Sequence, residues 1–159
     1  MTDRPHVPAA SHPADAPSAE ALDAVAHIRS GMSVFVHGQA ATPTPLLVAL
    51  CQHACDHDLR DITLYHLHLE GPAPFLDARC RGRIRSVSLF TGPSCRAAVA
   101  AGEADFVPVF LSDIPGLFRS GTIRLDAALV QLSPPDRHGL CSLGVSCDAA
   151  RAAVQAAPV

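Results

Sequence analysis

Apolar and polar positions along the chain fall into short blocks that alternate between two periods. Leu22, Val25 and Ile28 recur at helical spacing behind Ser18, a good N-cap, and Gly31 closes the segment, which predicts a helix. Val34-Phe35-Val36 is then a short buried strand. Thr44 as N-cap and Pro45 at the first position open a second helix, with Leu46, Leu47, Leu50, Cys51 and Ala54 on its inner face. Strands are predicted over 62–69, 84–90, 106–110 and 125–132. Between and after them come helical stretches over 75–79, 95–101, 113–119 and 149–157. Strand and helix alternating at short intervals indicate an α/β fold: an open, largely parallel sheet flanked by helices.

In such sheets ligands bind beyond the carboxyl ends of the strands. The loops at 36–44, 70–74, 90–95, 110–114 and 133–141 are therefore the ones to inspect, and Gly, Pro and polar residues concentrate there. Residues 1–17 lack periodicity and are rich in Pro, Ala and His, so they read as a disordered leader before a domain over 18–159.

Composition narrows the functional classes. A chain of 159 residues that is 48% hydrophobic supports one substantial core, and with 4% aromatics that core is aliphatic. The net charge is -3 and the 12 Lys and Arg are dispersed, which argues against a nucleic-acid partner. No apolar run approaches the roughly 20 residues of a membrane span. There is no secretory signal pattern, and Asp3, Asp15 and Glu20 speak against a transit peptide. Six cysteines then read as reduced thiols of a cytoplasmic protein.

The candidate chemistry begins at His37-Gly38-Gln39-Ala40-Ala41-Thr42-Pro43, which joins a strand to a helix through small residues. Small side chains let backbone N–H groups face a bound atom, and a helix N-terminus adds positive potential. The loop suits a phosphate or an acyl-transfer oxyanion, and equally a plain tight turn. Neither a P-loop nor a dinucleotide fingerprint is present. His66 and His68 share a face of the 62–69 strand, which leads into Glu70 and Gly71; Glu70 is the better pocket residue. Ser133, Asp136, His138 and Gly139 form a Pro-stiffened loop, read as a rigid wall with substrate contact rather than a proton-transfer site. In Cys51-x-His53-x-Cys55-x-His57 the cysteine and histidine pairs point to opposite sides of a helix, so no metal is expected. Cys51 and Cys55 are expected to be partly buried, His53 and His57 exposed, and Cys141 and Cys147 buried.

Several segments occur in a telling order: 34–47, 92–96, Asp105-Phe106-Val107-Pro108-Val109-Phe110-Leu111-Ser112-Asp113-Ile114-Pro115, Ser133-Pro134-Pro135-Asp136-Arg137-His138-Gly139, then Ser142-Leu143-Gly144-Val145-Ser146. The set resembles the N-terminal domain of the acetyl-CoA hydrolase/transferase family, which includes 4-hydroxybutyrate CoA-transferases. The resemblance runs from about Ile28 to Ala157. It implies a two-domain enzyme whose C-terminal domain supplies a glutamate that attacks the acyl-CoA thioester and becomes a glutamyl-CoA. Gly38, Gln39, Ala40 and Ala41 then take the oxyanion role. Glu70, Gly71, Gly92, Pro93, Ser94, Ser133, Asp136, His138 and Gly139 line the substrate site. The family is richer in glycine where His37 and Gln39 stand, and often has Asn in place of Ser94. None of the 15 acidic residues lies in a segment like the family's nucleophile region.

The resemblance implies a domain truncated before its catalytic half, inactive alone. Its substrates are acyl-CoA and a short-chain carboxylate, with coenzyme A as substrate rather than tightly bound cofactor. The C-terminal domain is supplied in cis or trans, and the complete protein is a homo-oligomer. Other readings stay open: an acyl-CoA hydrolase, a non-catalytic binding module, a split subunit and, by fold analogy alone, a sugar-phosphate isomerase or sensor.

Overall fold

Runs of apolar residues too short for helices, each followed by an amphipathic segment, leave the chain one economical arrangement: strands buried on both faces, with helices above and below. The computed structural model describes residues 16–159 and has that form. Most of the expected leader lies outside the described residues. In chain order the elements are α1 (Ala19–Val25), β1 (Ser33–Val36), α2 (Thr44–Asp56), β2 (Ile62–His66), two 3-10 turns (Pro74–Leu76 and Ala78–Cys80), β3 (Ile84–Ser88), α3 (Pro93–Ala100), β4 (Asp105–Phe106), α4 (Ile114–Arg119), β5 (Ala127–Leu129) and α5 (Ala150–Ala156). The five strands form one parallel sheet in the order β4-β3-β2-β1-β5.

Alternation along the strands feeds two cores. Val34, Val36, Ile62 and Leu64 join α1, α2 and the 3-10 turns on one face. Phe35 packs on the other face with Ile114 and Phe118 of α4 and the alanines of α5, its ring edge-on to Phe118 at 5.5 Å. Strands β2, β3 and β4 step away from β1 in one direction, and β5 returns to its other side. The order therefore reverses between β1 and β5, and the crevice at their carboxyl ends is the favoured ligand position of such a sheet.

Boundaries differ from the sequence expectation where a neighbour runs out. Strand β5 stops at Leu129 because β1 has ended at Val36; the next free donor, Gln131 N–H, goes to the His37 ring instead. Strand β4 shrinks to two residues: after Val107 N–H pairs with the Ser88 carbonyl, Pro108 has no N–H to offer. Helix α1 ends at Val25, although Ile28 stays buried, and Ser18 caps it with its Oγ 3.2 Å from Ala21 N. Helix α2 starts one residue early, with Pro43 as N-cap and Thr44 inside.

Three expectations about side chains are overturned. His53 is buried, because α1 packs over that side of α2, and its Nε2 donates to the Ile28 carbonyl at 3.1 Å. Cys141 and Cys147 are exposed, because the loop after β5 runs over the surface. His66 and His68 do not share a strand face: the strand ends at His66, which turns into the core. Among the described residues, no helix is long and apolar enough to cross a membrane.

Candidate functional site

The loop after β1 is shaped by close approach of backbones. A Cβ at Gly38 would lie 2.8 Å from the His68 carbonyl oxygen and 3.0 Å from Asp148 Oδ2, so only glycine fits there. Gln39 then adopts φ +53° and donates its N–H to the His68 carbonyl at 2.7 Å. Ala41 N–H donates to the Gly38 carbonyl and Thr42 N–H to that of Gln39, at 3.2 and 3.0 Å. Among the described residues, the N–H groups of Gly38 and Ala40 donate to no other group of the chain. The four-residue donor turn read from the sequence thus contains two free donors, because Gln39 and Ala41 use theirs to build the turn.

Three loops are knitted together at this edge. Thr42 Oγ1 donates to the Gln39 carbonyl at 2.7 Å and accepts Glu70 N–H at 3.0 Å. Ser94 Oγ donates to the Leu69 carbonyl at 3.1 Å. The His68 ring lies over Gly92, where a Cβ would come within 2.6 Å of it. That ring also stacks on Phe90 with centroids 6.3 Å apart and reaches Glu70 Oε1 at 3.1 Å. Gly71, at φ +80°, turns the chain away from Glu70, and Pro93 opens α3 behind Gly92.

His37 does not enter the crevice. Its ring is fully buried, with Nδ1 accepting the Gln131 N–H at 3.4 Å and Nε2 donating to the Ser146 carbonyl. It pins both legs of the long loop between β5 and α5. Between those legs and Ala40-Ala41 lies an open cavity of about 280 Å³, reached by Ser133, Leu143 and Val145. Wider clefts of about 510 and 420 Å³ lie elsewhere, beside Phe118 and Pro158 and between α1 and α2. Neither touches the turn after β1.

The tip of the long loop is self-contained. Ser133 N–H donates to the Ser142 carbonyl at 3.0 Å, and Asp136 Oδ1 accepts the N–H groups of His138 and Leu140 at 2.8 and 2.9 Å. Gly139 makes the bend at φ +77°, and His138 Nε2 accepts from Arg137 Nε at 2.9 Å. Of this group only Ser133 reaches the cavity. Asp136 thus closes its own loop by accepting two backbone N–H groups.

Two further features were not singled out from the sequence. Asp148, at φ +22°, accepts Ala150 N–H with Oδ1 at 2.9 Å, while its Oδ2 is buried against Gly38 without a hydrogen-bond partner in the described residues. An Asp directly before an Ala-rich helix is a capping signal that could have drawn attention to it. Beneath the edge, His66 Nδ1 donates to the Leu67 carbonyl at 2.6 Å and Nε2 accepts from Ser86 Oγ at 2.7 Å. Burial brings His66 down to about 4, which keeps the imidazole neutral.

A parallel sheet with small-residue loops gathered at its β1/β5 reversal defines an open α/β domain. The sequence profile of the acetyl-CoA hydrolase/transferase N-terminal domain matches residues 17–159, and the chain belongs to that family. It is 52% identical over 128 residues to the succinyl-CoA:acetate/propanoyl-CoA:succinate CoA transferase of Fasciola hepatica, covering 80% of this chain and 26% of that protein. The 4-hydroxybutyrate coenzyme A transferase of Clostridium kluyveri is 32% identical over 124 residues, covering 78% and 28%. Among solved structures, RipA from Yersinia pestis superposes with a TM-score of 0.77 at 28% identity, over 86% of this chain and 34% of that one. The 4-hydroxybutyrate CoA-transferase of Porphyromonas gingivalis superposes at 0.65 with 31% identity, over 87% and 30%. The chain thus spans about a quarter of the length of the curated relatives it matches.

Proposed function

We propose that the chain supplies the oxyanion-stabilising turn and one wall of the substrate crevice in a CoA-transferase acting on short-chain acyl-CoA and a carboxylate. The observation that carries this reading is the pair of N–H groups at Gly38 and Ala40 left without a partner among the described residues, in a turn at the sheet's reversal point whose Ala40 and Ala41 line the 280 Å³ cavity. Each acyl-transfer step develops negative charge on the former carbonyl oxygen. A fixed backbone donor meets that charge without reorganisation, and one such donor is worth about 3–4 kcal/mol of barrier. In this reading a glutamate of the C-terminal domain attacks the thioester, and CoA thiolate opens the resulting anhydride to give glutamyl-CoA. Glu70, Gly71, Gly92, Pro93 and Ser94 border the crevice on one side and Ser133 on the other. Asp136, His138 and Gly139 stiffen that second wall.

The relatives are named as CoA transferases and the chain covers 26% and 28% of two of them, so the domain is read as one part of a larger catalytic unit. The test is to assay acyl-CoA:carboxylate exchange with this chain alone and with a family C-terminal domain added in trans. No turnover alone and turnover on addition are expected. Turnover by the isolated chain at the rate of the mixture would overturn the reading.

A further inference from the structure

We propose that the cleft between the carboxyl ends of α4 and α5 binds a small organic phosphate, its phosphate group gripped by Arg119 and Arg124. The cleft measures about 510 Å³ and lies at the amino edge of the sheet, where Asp126 N–H donates to the Ser33 carbonyl at 2.8 Å. That is the edge opposite the turn after β1, so the proposal is independent of the function proposed above. The chain path brings the two arginines together. Gly121, at φ +72°, reverses the chain after α4, and Ile123 N–H returns to the Leu117 carbonyl at 3.0 Å. Arg119 at the end of α4 and Arg124 shortly before β5 thereby line one cleft, with Gln155 of α5 beside them. The buried Phe118 and Leu125 supply its apolar lining.

Charge in this cleft is unbalanced. Among the described residues, neither Arg119 nor Arg124 forms an ion pair with a carboxylate. Other arginines at the same edge of the sheet are held: Arg60 and Arg83 by Asp58 at 2.8 and 2.6 Å, and Arg81 by Glu103 at 2.7 Å. Asp126 lines the cleft but is committed elsewhere, its Oδ2 accepting the Ser33 N–H at 2.8 Å. Two guanidinium groups are thus left without an anion of the described chain to meet them. A phosphate monoester answers that need, because it is largely dianionic near neutral pH and its terminal oxygens accept from two guanidinium forks at once. Inorganic phosphate alone leaves most of the volume unfilled. Cavities of this size take molecules with an apolar body, which here rests against Phe118 and Leu125. The Gln155 amide offers both a donor and an acceptor to the polar groups of that body.

The test is isothermal titration calorimetry on the whole chain, with adenosine monophosphate, adenosine, inorganic phosphate and succinate as probes. The monophosphate should bind. Adenosine, which lacks the phosphate, should not, and inorganic phosphate should bind more weakly than the monophosphate. Arg119→Gln and Arg124→Gln should each weaken the monophosphate about tenfold or more, the scale of a lost hydrogen bond to a charged group. Arg96→Gln, which removes the same charge from an exposed position on α3, should leave the affinity unchanged. Arg119 and Arg124 are exposed too, so their variants should keep the parent melting temperature. No binding of the monophosphate at millimolar concentration, binding as tight by adenosine or by inorganic phosphate, or equal weakening by Arg96→Gln would overturn the proposal. Tighter binding of succinate would overturn it as well, by assigning the cleft to dicarboxylates.

Discussion

Gly38 and Gly92 both sit where a methyl group has no room, but what crowds them differs. At Gly38 the obstacle is the His68 backbone, which is anchored by the bond from Gln39 N–H; at Gly92 it is the His68 ring, which can rotate away. Gly38→Ala is therefore expected to cost about 1–3 kcal/mol of stability, as overpacking does. Gly92→Ala should cost less and instead release the His68 ring from Phe90. Urea denaturation of the two variants measures the difference, and equal losses would contradict this account. His66 makes a separate prediction. Burial lowers it from its ordinary 6.5 to about 4 in the folded chain. The unfolded state therefore binds the extra proton first, and stability present above pH 6.5 is lost as pH falls toward 4. Between pH 7 and pH 5 the loss is about 2 kcal/mol. His66→Gln should flatten that dependence in urea titrations at the two pH values; an unchanged slope would assign the effect to other groups.

Elements at the crevice edge are linked by few bonds, so single side chains join whole loops. Thr42 Oγ1 is the bridge between the turn after β1 and the segment after β2. Thr42→Val keeps the shape and removes both hydrogen bonds, so a loss of about 1–2 kcal/mol is expected. Amide exchange at Glu70 should rise with it, while the β1–β2 ladder stays protected; unchanged exchange at Glu70 would show that the bridge is dispensable. The order and kind of the elements were legible because buried parallel strands read as Val-Phe-Val or Ile-x-Leu runs, and the helices carry their own Pro and Gly punctuation. Their ends were not. The end of β5 depends on where β1 stops, and the end of β4 on Pro108 and the last residue of β3. The same limit hid His53, whose burial is decided by α1 lying across α2. It hid as well the meeting of His37 with Gln131 and Ser146, roughly 100 residues along the chain. The small-residue turn itself could be seen in the sequence; which of its N–H groups stay free could not, since that depends on the His68 carbonyl.

For the molecule as a whole, several large apolar residues are exposed on loops at the carboxyl edge of the sheet. Phe110, Leu111 and Val145 are 78%, 55% and 92% exposed on the loops of that edge, and Phe90 joins them. Patches of this kind drive association, and a net charge of -3 opposes it weakly. The isolated chain is expected to elute above its 16.6 kDa mass in size-exclusion chromatography with light scattering. Phe110→Ser with Leu111→Ser should shift it toward monomer. A monomeric parent would place the apolar residues among harmless surface positions. Five parallel strands held by two separate cores leave this edge free to vary without unsettling the sheet beneath it.

The His37 clasp gives the crevice wall a reporter proton. Its Nε2–H is sealed from solvent and donates to the carbonyl of Ser146, so in proton NMR it should give a slowly exchanging imidazole signal far downfield of the amides. That proton can reach water only when the foot of the long loop lifts off. Its exchange rate therefore counts the openings of the wall directly, at a single atom and with no label attached.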